Sequence, residues 1–329
     1  MAKQNAKGAL LGLAVGDALG TTHEFKALTA PDFPSLALGP LTDIVGGGPF
    51  GVAAGQVTDD TQMACCLAVS LKSKPAFEVG DVAGRYVAWM KHAFDIGSQT
   101  SAALGAVANG RSPLDAGRDV WIASGRKAAG NGSLMRTVPI AVHFAAADGA
   151  RRRASMLDSA ITHYDPRCRI ACAAFNAAIA HAIEAAPADA AALVAVARAE
   201  VDHAATALLA EAPGDAAAIA AAASALTNDL EAAACDNPDL YGPEMHIQRT
   251  QGFVRVAFRL AFWELLHAPT FSAGMIENVE PPRSLHQHGP GETALATFEG
   301  QARESGLLQA LTVVGAGEIV TERRTMQGR

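Results

Sequence analysis

The sequence predicts an all-α fold. Half of the residues are hydrophobic and alanine leads them, while aromatic residues make up only 5%. Ala- and Leu-rich segments without β-branched runs favour helix. No stretch shows the alternation of a half-buried strand, and apolar runs at helical spacing recur between Gly- and Pro-containing breaks.

The chain of 329 residues is long enough for a substantial core, and with 18% charged residues it is not expected to be disordered. A net charge of −7 and the lack of a basic stripe exclude nucleic acid as the main partner. The five cysteines include the neighbours Cys65 and Cys66 and the pair Cys168 and Cys172, one helical turn apart. Their odd count, without zinc-type spacing, points to thiols in a reducing cytoplasm. A short apolar run, residues 9–15, follows Lys3 and Lys7, but Asp17 closes it, so a signal peptide is not expected. No apolar stretch is long enough to span a bilayer, and no membrane partner is expected.

Taken in order, Gly8, Gly12, Gly16 and Gly20 recur every four residues and share one helix face. Asp17 lies within this small-residue run, and Glu24 follows where the helix is expected to end. Residues 27–51 are rich in Pro and Gly and read as an ordered loop. Gly55-Gln56-Val57-Thr58-Asp59-Asp60-Thr61 then feeds a helix over 61–73. Read locally, Thr58 caps that helix, and Asp59 and Asp60 occupy the first turn, where the helix dipole favours negative charge. Two carboxylates and two hydroxyls in one place also suit a hard cation such as magnesium.

A helix is predicted over 79–92, with Tyr86, Trp89 and Met90 on its apolar side. Asp95-Ile96-Gly97-Ser98-Gln99-Thr100 repeats the pattern of an acid and small polar residues before a helix, here 101–108. The Arg151-Arg152-Arg153 cluster reads as a solvated helix end. Gly130-Asn131-Gly132-Ser133-Leu134-Met135-Arg136 is a glycine turn whose backbone N–H groups could hold an anion. Thr162-His163 closes another helix. Residues 170–234 are almost continuous Ala-rich helix, broken at Pro187 and near Pro213-Gly214, and 253–266 form a further helix.

These polar segments, in this order, resemble the ADP-ribosylglycohydrolase family, which includes dinitrogenase-reductase-activating glycohydrolases and ADP-ribosylarginine hydrolases. The matching residues are Gly12-Leu13-Ala14-Val15-Gly16-Asp17-Ala18-Leu19-Gly20 with Glu24, Thr58-Asp59-Asp60-Thr61, Asp95-Ile96-Gly97, the turn from Gly130 to Arg136, and Thr162-His163. The resemblance implies a compact multi-helix domain around two Mg²⁺ ions, with Mn²⁺ as the alternative metal. It also implies hydrolysis of the bond between ADP-ribose and an acceptor, foremost ADP-ribosylated arginine on a protein, or an ADP-ribose-containing small molecule. Thr58, Asp59 and Asp60 would bind metal. Glu24, Asp60 and Asp95 would be catalytic. Gly97, Asn131, Gly132, Ser133, Met135 and His163 would hold the ADP-ribose.

The resemblance runs from about Gly8 to about Val279, which implies a domain over residues 1–279, with 280–329 as a diverged tail. The family's late Gly-Gly-Asp-x-Asp-Thr motif is replaced. Glu292 and Thr293 stand for the second Asp and the Thr as metal ligands, and Pro290 takes the first Asp position. The favoured reading is an altered tail that leaves the metal site incomplete. The other has Glu280, His286, His288 and Glu292 supply ligands in a new way. A homologue that binds ADP-ribose without turnover is therefore the alternative function.

Overall fold

The computed structural model describes residues 2–23, 44–185, 189–237, 239–240, 243–245, 250 and 252–268. Within them the chain forms α1 (Ala2–Gly20), α2 (Asp59–Ser73), α3 (Val79–Met90), α4 (Ser98–Ala108), α5 (Pro113–Ala123) and α6 (Val138–His143). It continues through α7 (Asp148–Thr162), α8 (Pro166–Glu184), α9 (Ala190–Glu211), α10 (Ala216–Ala233) and α11 (Val254–His267). Extended pairing among the described residues is limited to the isolated bridges Gly47–Val52 and Gly130–Phe253. The all-α expectation is met. The expected 170–234 run divides into α8, α9 and α10, the glycine turn feeds α6 as expected, and α5 is the one helix of the described residues that the sequence reading does not single out.

The helix α8 is the axis of the fold. Nearly every side chain from Pro166 to Ile183 is buried, and α8 packs against α1, α6, α7, α9, α10 and α11. A helix that is apolar all round must be enclosed, and its many alanines let neighbouring backbones approach. Its start is well specified. Pro166 fits the first turn, where no N–H partner is needed, and the Asp165 carboxylate accepts from the Arg167 N–H at 2.9 Å. Around α8 lies the main core, with Phe175, Phe258 and Phe262 in edge-on contact. A second cluster joins Met63, Leu67 and Leu71 of α2 to Val82 and Tyr86 of α3, Leu104 of α4 and Ile161 of α7. Each such large apolar side chain contributes about 1.5–3 kcal/mol on burial.

The arginine cluster departs from its expected solvated role. Arg151 is buried and donates to the carbonyls of Phe144 and Ala145, at 3.2 and 2.8 Å, beyond the end of α6. Arg152 makes a two-pronged pair with Glu200 of α9 at 2.6 and 2.7 Å, and Arg153 alone is exposed. Orphan carbonyls near a helix end and a nearby buried carboxylate both recruit guanidinium.

The five cysteines are free thiols, with Cys168 and Cys172 buried and Cys65 and Cys235 exposed. No helix among the described residues is long and apolar enough to cross a membrane. The 279/280 boundary and the tail lie outside the described residues.

Candidate active site

The N-terminus of α2 is capped in trans rather than by its own Thr58. Thr58 makes no capping bond with its side chain. Asp17, buried on α1, accepts instead from the Thr58 N–H at 3.0 Å, from the Thr61 N–H at 3.1 Å and from the Thr58 hydroxyl at 2.7 Å. A carboxylate at this end also meets the positive pole of the helix. The Thr58 oxygen lies 3.4 Å from Asp60 Oδ2. With its proton on Asp17, that oxygen keeps lone pairs free to accept.

The preceding glycine loop is sewn to the end of α1. The Gly47 and Val52 backbones pair at 2.7 and 3.0 Å, and the Thr22 hydroxyl donates to the Gly46 carbonyl at 3.1 Å. Gly48 is required by position. Its φ is +70°, and a Cβ there would lie 2.3 Å from the Thr21 carbonyl oxygen.

Asp59 and Asp60 lie in the first turn of α2 and are largely buried. Asp95, just before α4, joins them. Burial pushes its carboxyl above the usual range, contact with Asp59 pulls it down, and the Asp17 charge raises it further. Asp95 Oδ2 and Thr61 Oγ1 are buried and lack hydrogen-bond partners. Buried acceptors left without donors are costly and signal an absent partner. Thr58, Asp59 and Asp60 are hard oxygen donors, so the site fits Mg²⁺ or Mn²⁺ in kind. Among the described residues, no three acidic, His or Cys side chains form a complete metal-binding group. Glu24, Glu292 and Thr293, the other acidic and hydroxyl groups expected at the site, lie outside the described residues.

The second half of the site is the glycine turn between α5 and α6. The Gly130 N–H donates to Gln99 Oε1 at 3.2 Å, and the Asn131 N–H to the Gly252 carbonyl at 2.9 Å. Val254 in turn donates to the Ala129 carbonyl at 2.9 Å, tying the turn to the start of α11. The Leu134 and Met135 N–H groups donate to the Asn131 carbonyl at 2.7 and 3.1 Å, so four N–H groups of the expected anion cradle are committed to protein. The N–H groups of Gly132 and Ser133 carry no hydrogen bond among the described residues. The Ser133 side chain faces inward, accepting from the Ser159 hydroxyl at 2.9 Å, with the Cys172 thiol at 3.5 Å. Ser133 can therefore serve a ligand through its backbone. Met135 packs in the second core cluster, and Gly97 is exposed at the start of α4.

His163 stands behind the turn. Its ring is buried, and Cβ atoms placed on Gly130 and Gly132 would lie 3.2 and 3.1 Å from its Nε2. Burial, and then the Arg136 guanidinium, hold its pKa down to about 3. Arg136 is fully buried. It pairs with Asp158 at 3.1 Å and donates to the Gly132 carbonyl at 3.2 Å, the Thr162 hydroxyl at 2.9 Å and the Asp158 carbonyl at 2.9 Å. Its guanidinium lies over the Tyr86 ring, and the Tyr86 hydroxyl donates to Asp158 at 2.8 Å.

The segment 95–100 joins the two halves. Asp95 lies at the carboxylates, while Gln99 donates to the Thr162 carbonyl at 3.2 Å and receives Gly130. The sequence reading placed the glycine turn, His163 and the acidic pair, but assigned no role to Asp17, Gln99, Asp158 or Thr162. An acid inside a small-residue run was the one visible signal, for Asp17.

The ADP-ribosylglycohydrolase family model matches residues 2–281. An ADP-ribosylarginine hydrolase of Pseudomonas putida (strain GB-1) is 36% identical over 178 residues, which cover 49% of this chain and 42% of that protein. The ADP-ribosyl-[dinitrogen reductase] glycohydrolase of Rhodospirillum rubrum is 32% identical over 181 residues, 54% of this chain and 58% of that one. The chain thus spans about half the length of the curated relatives it matches. A solved structure described as an ADP-ribosylglycohydrolase-related protein complex superposes with a TM-score of 0.59 at 24% identity, covering 95% of this chain and 98% of that chain, and shows the same fold. With a family match running through α1 and every helix up to α11, the chain belongs to the ADP-ribosylglycohydrolase family.

Proposed function

We propose that this protein hydrolyses the glycosidic bond between ADP-ribose and an acceptor, with ADP-ribosylated arginine on protein as its preferred substrate. The observation that carries the reading is the segment 95–100, which brings the carboxylate cluster and the glycine turn into one site. A diphosphate needs bare N–H donors, and a ribosyl–guanidine bond needs carboxylates. The named relatives act on ADP-ribosylated arginine and dinitrogen reductase, which supports this choice of substrate.

In this reading, the Gly132 and Ser133 amides bind the diphosphate, where backbone can approach closely. Gln99 holds the turn in shape, and His163 beside it binds the ADP-ribose. Asp95, with its unpartnered oxygen, accepts a hydrogen bond from the guanidinium leaving group and keeps it oriented. Glu24 and Asp60 are assigned to proton transfer. Thr58, Asp59 and Asp60 would hold Mg²⁺ or Mn²⁺, with Glu292 and Thr293 assigned to complete the set. When bound, the metal supplies Lewis-acid polarisation of ribose oxygens and water.

The test is release of ADP-ribose from ADP-ribosylated arginine in the presence of Mg²⁺. Release that is lost in Asp59→Ala and in Asp60→Ala is expected, and full activity in both variants overturns the assignment. A second reading, binding without turnover, is favoured by Pro290 at an acidic position of the family motif. It is adopted if wild type binds ADP-ribose by calorimetry but forms no product.

A further inference from the structure

We propose that His163 meets its ligand as a neutral imidazole with its proton on Nε2, and that Arg136 and Thr162 are the positioning residues that select this tautomer. The argument follows the protons. Arginine has donors only, so Arg136 donates to the Thr162 oxygen at 2.9 Å. The Thr162 hydroxyl has one proton of its own. Among the described residues its remaining hydrogen-bond partner is His163 Nδ1, at 2.8 Å. Turned away from Nδ1, that proton would be buried without an acceptor among the described residues, so it points at Nδ1, which accepts it. A neutral ring that accepts at Nδ1 carries its hydrogen on Nε2.

The rest of the pocket agrees. A proton added at Nδ1 would face the Thr162 hydroxyl proton, and the ring is buried beside the Arg136 charge. The nearby Asp158 is already paired with Arg136 and Tyr86. The Cys172 thiol is pushed up to about 12 by burial, and burial also raises Cys168, so both are neutral neighbours. Nε2 lies against Gly130 and Gly132, where side chains would crowd it, and it makes no hydrogen bond among the described residues. The Nε2–H is left to the ligand. His163 thus recognises an acceptor oxygen and neither shuttles protons nor supplies a cation.

Only the ligand arm of the test rests on the proposed function. Imidazole ¹⁵N–¹H correlation spectra of histidine-labelled protein, assigned with His163→Asn, report the tautomer without any ligand. The neutral Nε2–H pattern, unmoved from about pH 5 to 8, is expected for wild type and Thr162→Ser. Thr162→Val, with its fold checked by circular dichroism, should lose the single pattern. An Nδ1–H or imidazolium pattern in wild type overturns the proposal whether or not the variants fold. In calorimetry with ADP-ribose, Thr162→Val should bind about tenfold more weakly and Thr162→Ser about as well as wild type, as for one lost hydrogen bond. Absence of ADP-ribose binding in wild type overturns the proposed function and leaves the tautomer result standing.

Discussion

Arg136 and Asp158 form an ion pair at 3.1 Å with both side chains fully buried. Arg136 comes from the glycine turn and Asp158 from α7, so the pair locks the turn to the helix that ends in Thr162 and His163. Burying two charges is costly, and the pair holds because every polar edge is used: Tyr86, Thr162 and the carbonyls of Gly132 and Asp158 complete it. Removing one partner strands the other. Asp158→Ala should destabilise the chain by about 3–5 kcal/mol, measured by urea unfolding, whereas Tyr86→Phe should cost only about 1 kcal/mol. Equal losses in the two variants would contradict this account.

Asp17 bridges α1 and α2, and its substitution should act at a distance in sequence. Asp17→Ala leaves the Thr58 and Thr61 N–H groups and the Thr58 hydroxyl without their acceptor. The expected loss is about 2 kcal/mol, with faster amide exchange at Thr61. Asp17→Asn keeps one acceptor oxygen and should lose about half as much. Unchanged exchange at Thr61 in Asp17→Ala would rule out the trans cap.

Asp95 should show opposed effects on stability and function. Its carboxyl is desolvated, meets Asp59 and feels the Asp17 charge. In metal-free protein, Asp95→Asn removes a repelling charge and adds donors for Asp59. We expect thermal unfolding in EDTA to shift upward by about 2–4 °C, equivalent to about 1 kcal/mol, while ADP-ribose release is lost. A downward shift would mean that the carboxylate is held by donors rather than strained.

The parts of this site visible in the sequence are those written locally. Asp59 and Asp60 sit next to a helix start, and the glycine turn announces itself by composition. Helix starts moved by up to four residues: α4 begins at Ser98 rather than residue 101, and α8 at Pro166 rather than residue 170. What sequence could not show are partnerships across distance. Thr58 looked like a cap because local pattern favours it, yet Asp17, 41 residues earlier, takes the role. Arg136 belonged to a recognisable turn, but its partner is 22 residues later. Arg151 and Arg152 looked solvated because a run of three arginines carries no signal of the carbonyls and Glu200 that await it.

The buried His163 should make the chain acid-sensitive. An unfolded histidine titrates near about 6.5, while His163 in the fold stays neutral down to about 3. Between these values the unfolded chain binds a proton that the folded chain refuses. Stability from this group is complete above about pH 6.5 and declines as pH falls, at about 1.4 kcal/mol per pH unit. Other groups titrate too, so the comparison is with His163→Asn, which carries no titrating ring. Unfolding free energies of both proteins at about pH 7.5 and pH 5 isolate the contribution. Wild type should lose about 2 kcal/mol more than the variant over that interval. Parallel losses would mean that the folded protein protonates His163 as readily as the unfolded chain. In that case Arg136 and the packing around the ring would not exclude the proton, and the neutral donor facing the turn would have no basis.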